Sequence, residues 1–131
     1  MGEEEIILRL LRTVRSNGSS DSNGFHGSVG VISLYAAQCW SLQKRVEEES
    51  VQISTVDAFQ GNEKDLVVLS TVRSRSIGFA SDPRRINVAI TRAKGQLIIV
   101  GNRNLLSKDR LWHSVLEYVS QNGQVVDGSS I

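Results

Sequence analysis

Ser54-Thr55-Val56-Asp57-Ala58-Phe59-Gln60-Gly61-Asn62-Glu63-Lys64-Asp65 is a largely polar stretch set between two apolar runs. Ahead of it, Val51-Gln52-Ile53-Ser54-Thr55 alternates as a half-buried strand does. Behind it, Leu66-Val67-Val68-Leu69-Ser70-Thr71-Val72 is the most apolar run in the chain, as expected of a central strand covered on both faces. Gly61 gives the turn its backbone freedom, and Asn62 to Asp65 is wholly polar.

The same alternation of short apolar runs and helical patterns extends in both directions. Upstream, Ser28 to Leu34 reads as a buried strand that runs straight into a helical pattern, Tyr35 to Val46. A strand that passes to a helix with no hairpin turn is the sign of a βα unit. Downstream, Asp82-Pro83 is a helix start, since Asp caps and Pro occupies the first turn without losing a hydrogen bond. Ile86, Ala89 and Ile90 share one face of that helix, and Arg84, Arg85, Asn87, Thr91 and Arg92 lie around the other. The helix is followed by Gly95 to Asn102, a fourth apolar strand, so Arg92 is expected near the sheet edge where open α/β sheets gather their ligands. Tyr35 and Gln38 are expected at the carboxyl end of their strand, with stacking on a base and simple packing both open to Tyr35.

Glu3 to Arg15 has helical spacing, and Ser16 to Gly27, rich in Ser, Asn and Gly, reads as a loop without packing content. Asp109 to Val119 is an amphipathic helix with Leu111, Val115, Leu116 and Val119 inward. Trp40 is expected in the core, Gln124 to Val126 as an edge strand, and residues 127–131 as a frayed tail. The expected organisation is therefore an N-terminal helix and loop (1–27), an α/β domain (28–126) and the tail (127–131).

Composition narrows the function. The chain has 131 residues, enough for one domain with a real core. Its net charge of +1 provides no general basic field, so any nucleic-acid contact must be local. One cysteine, Cys39, excludes an internal disulfide and a Cys-rich zinc site. His26 and His113 stand in contexts without ligand spacing, so no metal site is expected. No apolar run is long enough for a membrane span, and a nuclear or cytoplasmic location is expected.

The remaining chemistry is electrostatic. Arginines at a strand edge, a Gln-Gly turn and a tyrosine at another strand edge suit a nucleoside triphosphate, whose phosphoryl transfer needs its charge neutralised. The phosphate cradle Gly-x-x-x-x-Gly-Lys-Ser/Thr does not occur, and no Asp-Glu pair stands at a strand end to hold magnesium. On its residues alone the site is incomplete.

A resemblance accounts for the gap. Val29 to Gln38, Thr55 to Asp65 and Gly78 to Ala93 are similar, in order and spacing, to motifs IV, V and VI of superfamily 1 helicases, in the group of the nonsense-mediated-decay RNA helicase and senataxin. The resemblance implies a three-layer α/β fold of the P-loop NTPase type, a mostly parallel sheet flanked by helices, as the second RecA-like domain. It implies an arginine finger at Arg92, supported by Arg85 and Gln60. It implies nucleotide contacts at Tyr35, Gln38, Gly61 and Glu63, and contacts to single-stranded RNA or DNA at Ser54, Thr55 and Arg73. ATP with Mg2+ would be held mainly by a first RecA-like domain supplied in cis or in trans. The sequence departs from the motifs at Ser33-Leu34, Cys39 and Asn62. A non-catalytic nucleic-acid- or protein-binding module derived from such a helicase is the alternative reading.

Overall fold

A computed structural model describes residues 3–19, 27–33, 36–46, 51–59, 63–71, 83–101 and 103–125. The elements in chain order are α1 (Glu3–Ser19), β1 (Val29–Ser33), α2 (Ala36–Arg45), β2 (Val51–Thr55), β3 (Lys64–Ser70), α3 (Pro83–Thr91), β4 (Ala93–Val100), α4 (Arg103–Leu106) and α5 (Arg110–Asn122). The strands form one sheet in the order β2-β1-β3-β4, with every pair parallel. This is the α/β fold with a parallel sheet flanked by helices.

Alternation along the strands sorts the core into two halves. Val29, Val31, Val51, Ile53, Leu66 and Val68 point to one face, where they bury Ile7 and Leu11 of α1 and Cys39 and Leu42 of α2. Ile32, Val67 and Leu69 point to the other, against Val56, Phe59, Ile86 and Ala89, with Leu106 and Trp112 completing the layer. β1 and β3 are buried along almost their whole length because helices or crossing chain cover both their faces. The sequence boundary at 27/28 does not divide the core, since α1 is part of one layer.

The connection from β2 to β3 decides the geometry. The two strands are parallel and lie on either side of β1, so residues 56–63 must cross β1 and return to the amino end of the sheet. A parallel crossover commonly takes a dozen residues or more, including a helix. Here eight residues make the connection, and Phe59, among the described ones, packs closely on β1. The N–H of Phe59 bonds to the Thr55 carbonyl at 3.0 Å, and its ring is fully buried against the middle of β1. Gly30 makes that approach possible, since a Cβ there would stand 2.5 Å from the Phe59 Cζ and 2.9 Å from the Lys64 Cγ.

Several expectations change. α1 continues through Ser19 instead of ending near Arg15, because extending a helix already docked through Ile7 and Leu11 adds a hydrogen bond per residue and Ser and Asn disfavour it only weakly. β3 begins at Lys64, inside the polar run, because its first residues sit at the solvated rim of the sheet. Trp40 is 69% exposed, while Trp112 is fully buried and anchors α5. α2 turns Cys39 and Leu42 inward, which leaves Trp40 on its outer face. Residues 124–125 form no strand, and Val125 is exposed. Residues 127–131 lie outside the described residues.

The fit of Phe59 over Gly30 makes a direct prediction. Gly30→Ala should lower unfolding free energy by about 1–3 kcal/mol through overpacking. Adding Phe59→Leu should give a combined loss smaller than the sum, because the smaller ring-free side chain relieves the clash. Urea unfolding of the four proteins checks this; strictly additive losses would contradict it.

Candidate functional site

A helix that follows a parallel strand runs back along it, so it ends at the amino edge of the sheet. α3 does this and releases the chain at Arg92, directly before β4. The Arg92 carbonyl accepts from the N–H of Lys64, the first residue of β3, at 3.0 Å. Arg92 therefore sits at the amino edge, not at the carboxyl edge that the strand-end rule suggested. Glu63, the residue before Lys64, is exposed at the same edge and has no hydrogen-bond or charged partner among the described residues.

The Arg92 side chain is half-buried along the last turn of α3. Its Nε donates to the Val88 carbonyl at 3.2 Å, and Nη2 donates to the Thr91 hydroxyl at 3.4 Å. A guanidinium at a helix carboxyl end is favoured by the helix dipole. No carboxylate neutralises it among the described residues, so its charge remains available to an anion. The backbone of Arg85 is in α3, but its side chain lies outside the described residues, as do Tyr35, Gln60, Gly61 and Arg73 entirely.

The remaining expected residues that are described, Gln38, Ser54 and Thr55, lie toward the carboxyl edge, roughly 15–20 Å away along the strands. Strand register lines up Thr55, Ser33 and Ser70 across β2, β1 and β3 as a row of hydroxyl residues. Gln38 is buried there, and its Oε1 accepts from the Ser33 hydroxyl at 2.7 Å. Thr55 Oγ1 accepts from the Ala58 N–H at 3.4 Å, so it also shapes the turn that carries Phe59. Ser54 Oγ is buried without a hydrogen-bond partner among the described residues. An orphaned buried hydroxyl is uncommon and calls for a ligand or a role. Cys39 is buried beside Ser33, and burial pushes its thiol pKa up, so this departure from the motif faces the core.

The sequence reading missed Asp65, Ser33 and Ser70. The hydroxyl row needs the strand register to be seen. Asp65 is hidden in a polar run, yet it fastens the amino edge. Its Oδ2 accepts from the Ser28 N–H at 2.8 Å and from the Ser28 hydroxyl at 3.1 Å, and its own N–H donates to that hydroxyl at 3.0 Å. Lys94 Nζ stands 3.8 Å from Oδ1. The Ser28 hydrogen bonds, with a smaller contribution from Lys94, hold the Asp65 carboxyl below the usual carboxylate range. Elsewhere, a depression of about 410 Å³ beside α5, lined by Ser107, His113, Leu116, Glu117, Ser120 and Gln121, contains none of the motif residues. Among the described residues, no His/Cys/Asp/Glu group could hold a metal ion, and no helix is long and apolar enough to cross a membrane.

Comparison with known proteins decides the family. The family described as AAA domain matches residues 1–104. The chain is 44% identical over 130 residues to the regulator of nonsense transcripts 1 homolog of Drosophila melanogaster, covering 96% of the chain and 11% of that protein. It is 48% identical over 129 residues to regulator of nonsense transcripts 1 of Caenorhabditis elegans, covering 95% and 12% respectively. It is 42% identical over 133 residues to the ATP-dependent helicase upf1 of Schizosaccharomyces pombe, covering 96% and 14%. The chain belongs to the AAA domain family, in its nonsense-mediated-decay type of superfamily 1 helicases. It spans about a tenth of the length of these relatives. Within this helicase domain, the motif V and motif VI resemblances meet at one hydrogen bond, Lys64 N–H to Arg92 carbonyl.

The Asp65 pKa has a sign that stability must follow. A carboxyl whose folded pKa is depressed adds stability above its unfolded pKa and loses it as pH falls through the folded value. The unfolding free-energy difference between the wild type and Asp65→Asn should be constant above about pH 5 and shrink as pH falls below about 4. Urea titrations across that range check it; a gap that widens in acid would contradict it.

Proposed function

We propose that this chain is the second RecA-like domain of an ATP-dependent RNA or DNA helicase and offers one wall of the nucleotide site. Arg92 would act as the arginine finger on the transferring phosphate, with Arg85 and Gln60 in support and Glu63 at the same edge. The observation that carries this reading is the Arg92 guanidinium, anchored through Nε and without a carboxylate partner among the described residues. An arginine finger neutralises charge that develops as the phosphoryl group passes. The phosphate loop and the groups that hold Mg2+ would come from a first RecA-like domain in cis or in trans, so this chain alone should not hydrolyse ATP.

The two edges suggest a division of labour. The amino edge would face the nucleotide. The carboxyl edge, with Ser54, Thr55 and Gln38, would face single-stranded RNA or DNA, with Arg73 a further contact by the motif resemblance. The orphaned Ser54 hydroxyl supports this, because a phosphate or sugar oxygen would satisfy it. Gln38, which the motif resemblance puts at the nucleotide, would then act on the nucleic-acid side through its bond to Ser33, while Tyr35 and Gly61 are kept as the nucleotide contacts that the resemblance implies. A soluble nuclear or cytoplasmic setting fits that role.

ATP hydrolysis tests the proposal, measured on the chain mixed with a first RecA-like domain from a relative, with single-stranded RNA present. Turnover should appear only in the mixture. Arg92→Ala should lower kcat by about 10³-fold or more, within the range for arginine fingers. Turnover by the mixture that Arg92→Ala leaves intact would contradict the assignment. RNA binding without turnover in any mixture would favour the non-catalytic module.

A further inference from the structure

The guanidinium of Arg92 is fixed to α3 through Nε and the Val88 carbonyl. Where α3 delivers it depends on how the chain passes from α3 into β4. That passage is irregular. β3 and β4 pair Lys64 with Ala93, but the next pairing is Leu66 with Gln96. One residue of β3, Asp65, therefore opposes two of β4, Lys94 and Gly95. This is a bulge, a device that bends a strand and re-aims its neighbours. The bulge is tightly closed, since a Cβ on Gly95 would stand 3.0 Å from the Asp65 carbonyl oxygen.

We propose that Asp65 is a positioning residue for Arg92: its carboxylate, held by Ser28, steadies the β3 side of this bulge and so helps set where the guanidinium stands at the amino edge. The carboxylate of Asp65 holds Ser28, at the start of β1, through Oδ2, and its Oδ1 stands 3.8 Å from the half-exposed Lys94 of β4. The residue before it, Lys64, gives its N–H to the Arg92 carbonyl. Arg92 is thus flanked by two anchors, Lys64 on its carbonyl and Lys94 two residues on. The carboxylate also faces the half-exposed Lys94 ammonium, the cation nearest in sequence to Arg92. Asp65 touches no expected ligand position itself; it acts through Arg92. The inference rests on reading Arg92 as the arginine finger.

The test uses Asp65→Ala, the milder Asp65→Asn, which keeps an oxygen for Ser28 but loses the charge facing Lys94, and Lys94→Met. In the reconstituted ATPase, Asp65→Ala should lower kcat by about a hundredfold, the scale of a misplacement near 1 Å, with KM for ATP little changed. Asp65→Asn and Lys94→Met should fall between it and the wild type. On the 131-residue chain alone, nuclear magnetic resonance should show the Arg92 Nε–H signal shifted and the Lys64 amide exchanging faster in Asp65→Ala, with Val67 and Leu69 amides still protected. If Arg92→Ala abolishes turnover while Asp65→Ala leaves kcat intact, the positioning role is overturned and the finger stands. If Arg92→Ala has no effect, or no mixture turns over, the resonance measurement decides. An unmoved Arg92 signal with unchanged Lys64 exchange overturns the proposal whatever the mixture does, and so does loss of protection throughout the sheet in the folded Asp65→Asn protein.

Discussion

The ring of Phe59 lies on the bare backbone of Gly30, and the rest of the domain depends on that contact. With it, the crossover becomes part of the core on the face shared with α3 and α5. The same short segment that closes the core also leaves Glu63 and Lys64 beside Arg92. Packing and the placement of charge are therefore one problem in this fold.

That coupling explains how a small sheet can present two separate surfaces. The strands keep the hydroxyl row of Thr55, Ser33 and Ser70 at one end and Arg92 with Glu63 at the other. The crossover from β2 to β3 begins at one end and finishes at the other, and its first turn is capped by Thr55 itself.

Much of this was legible in the sequence. The apolar runs at 29–33, 51–55 and 66–70 and the Asp82-Pro83 start carry their own periodicity and punctuation, and they set the α/β class and the helix that bears Arg92. Three features were not legible. The edge at which Arg92 emerges follows from helix direction in a parallel sheet, which the strand-end rule passes over. Asp65 belongs to a polar run that reads as turn, and only register brings it to Ser28 and Lys94. Trp40 and Trp112 were indistinguishable by composition, because which face of a helix is covered depends on elements far away in the chain. The motif resemblance assigns roles to residues but says nothing of their sides of the sheet.

The separation of the two edges is most directly tested by adding single-stranded RNA to the isolated chain and following its backbone amide resonances. The expected result is perturbation at the carboxyl edge, in Ser33, Gln38, Ser54, Thr55 and Ala58, with Lys64 and Arg92 unaffected by direct contact. Strongest perturbation at Glu63, Lys64 and Arg92, with the hydroxyl row silent, would contradict it and place the nucleic acid on the edge assigned here to the nucleotide.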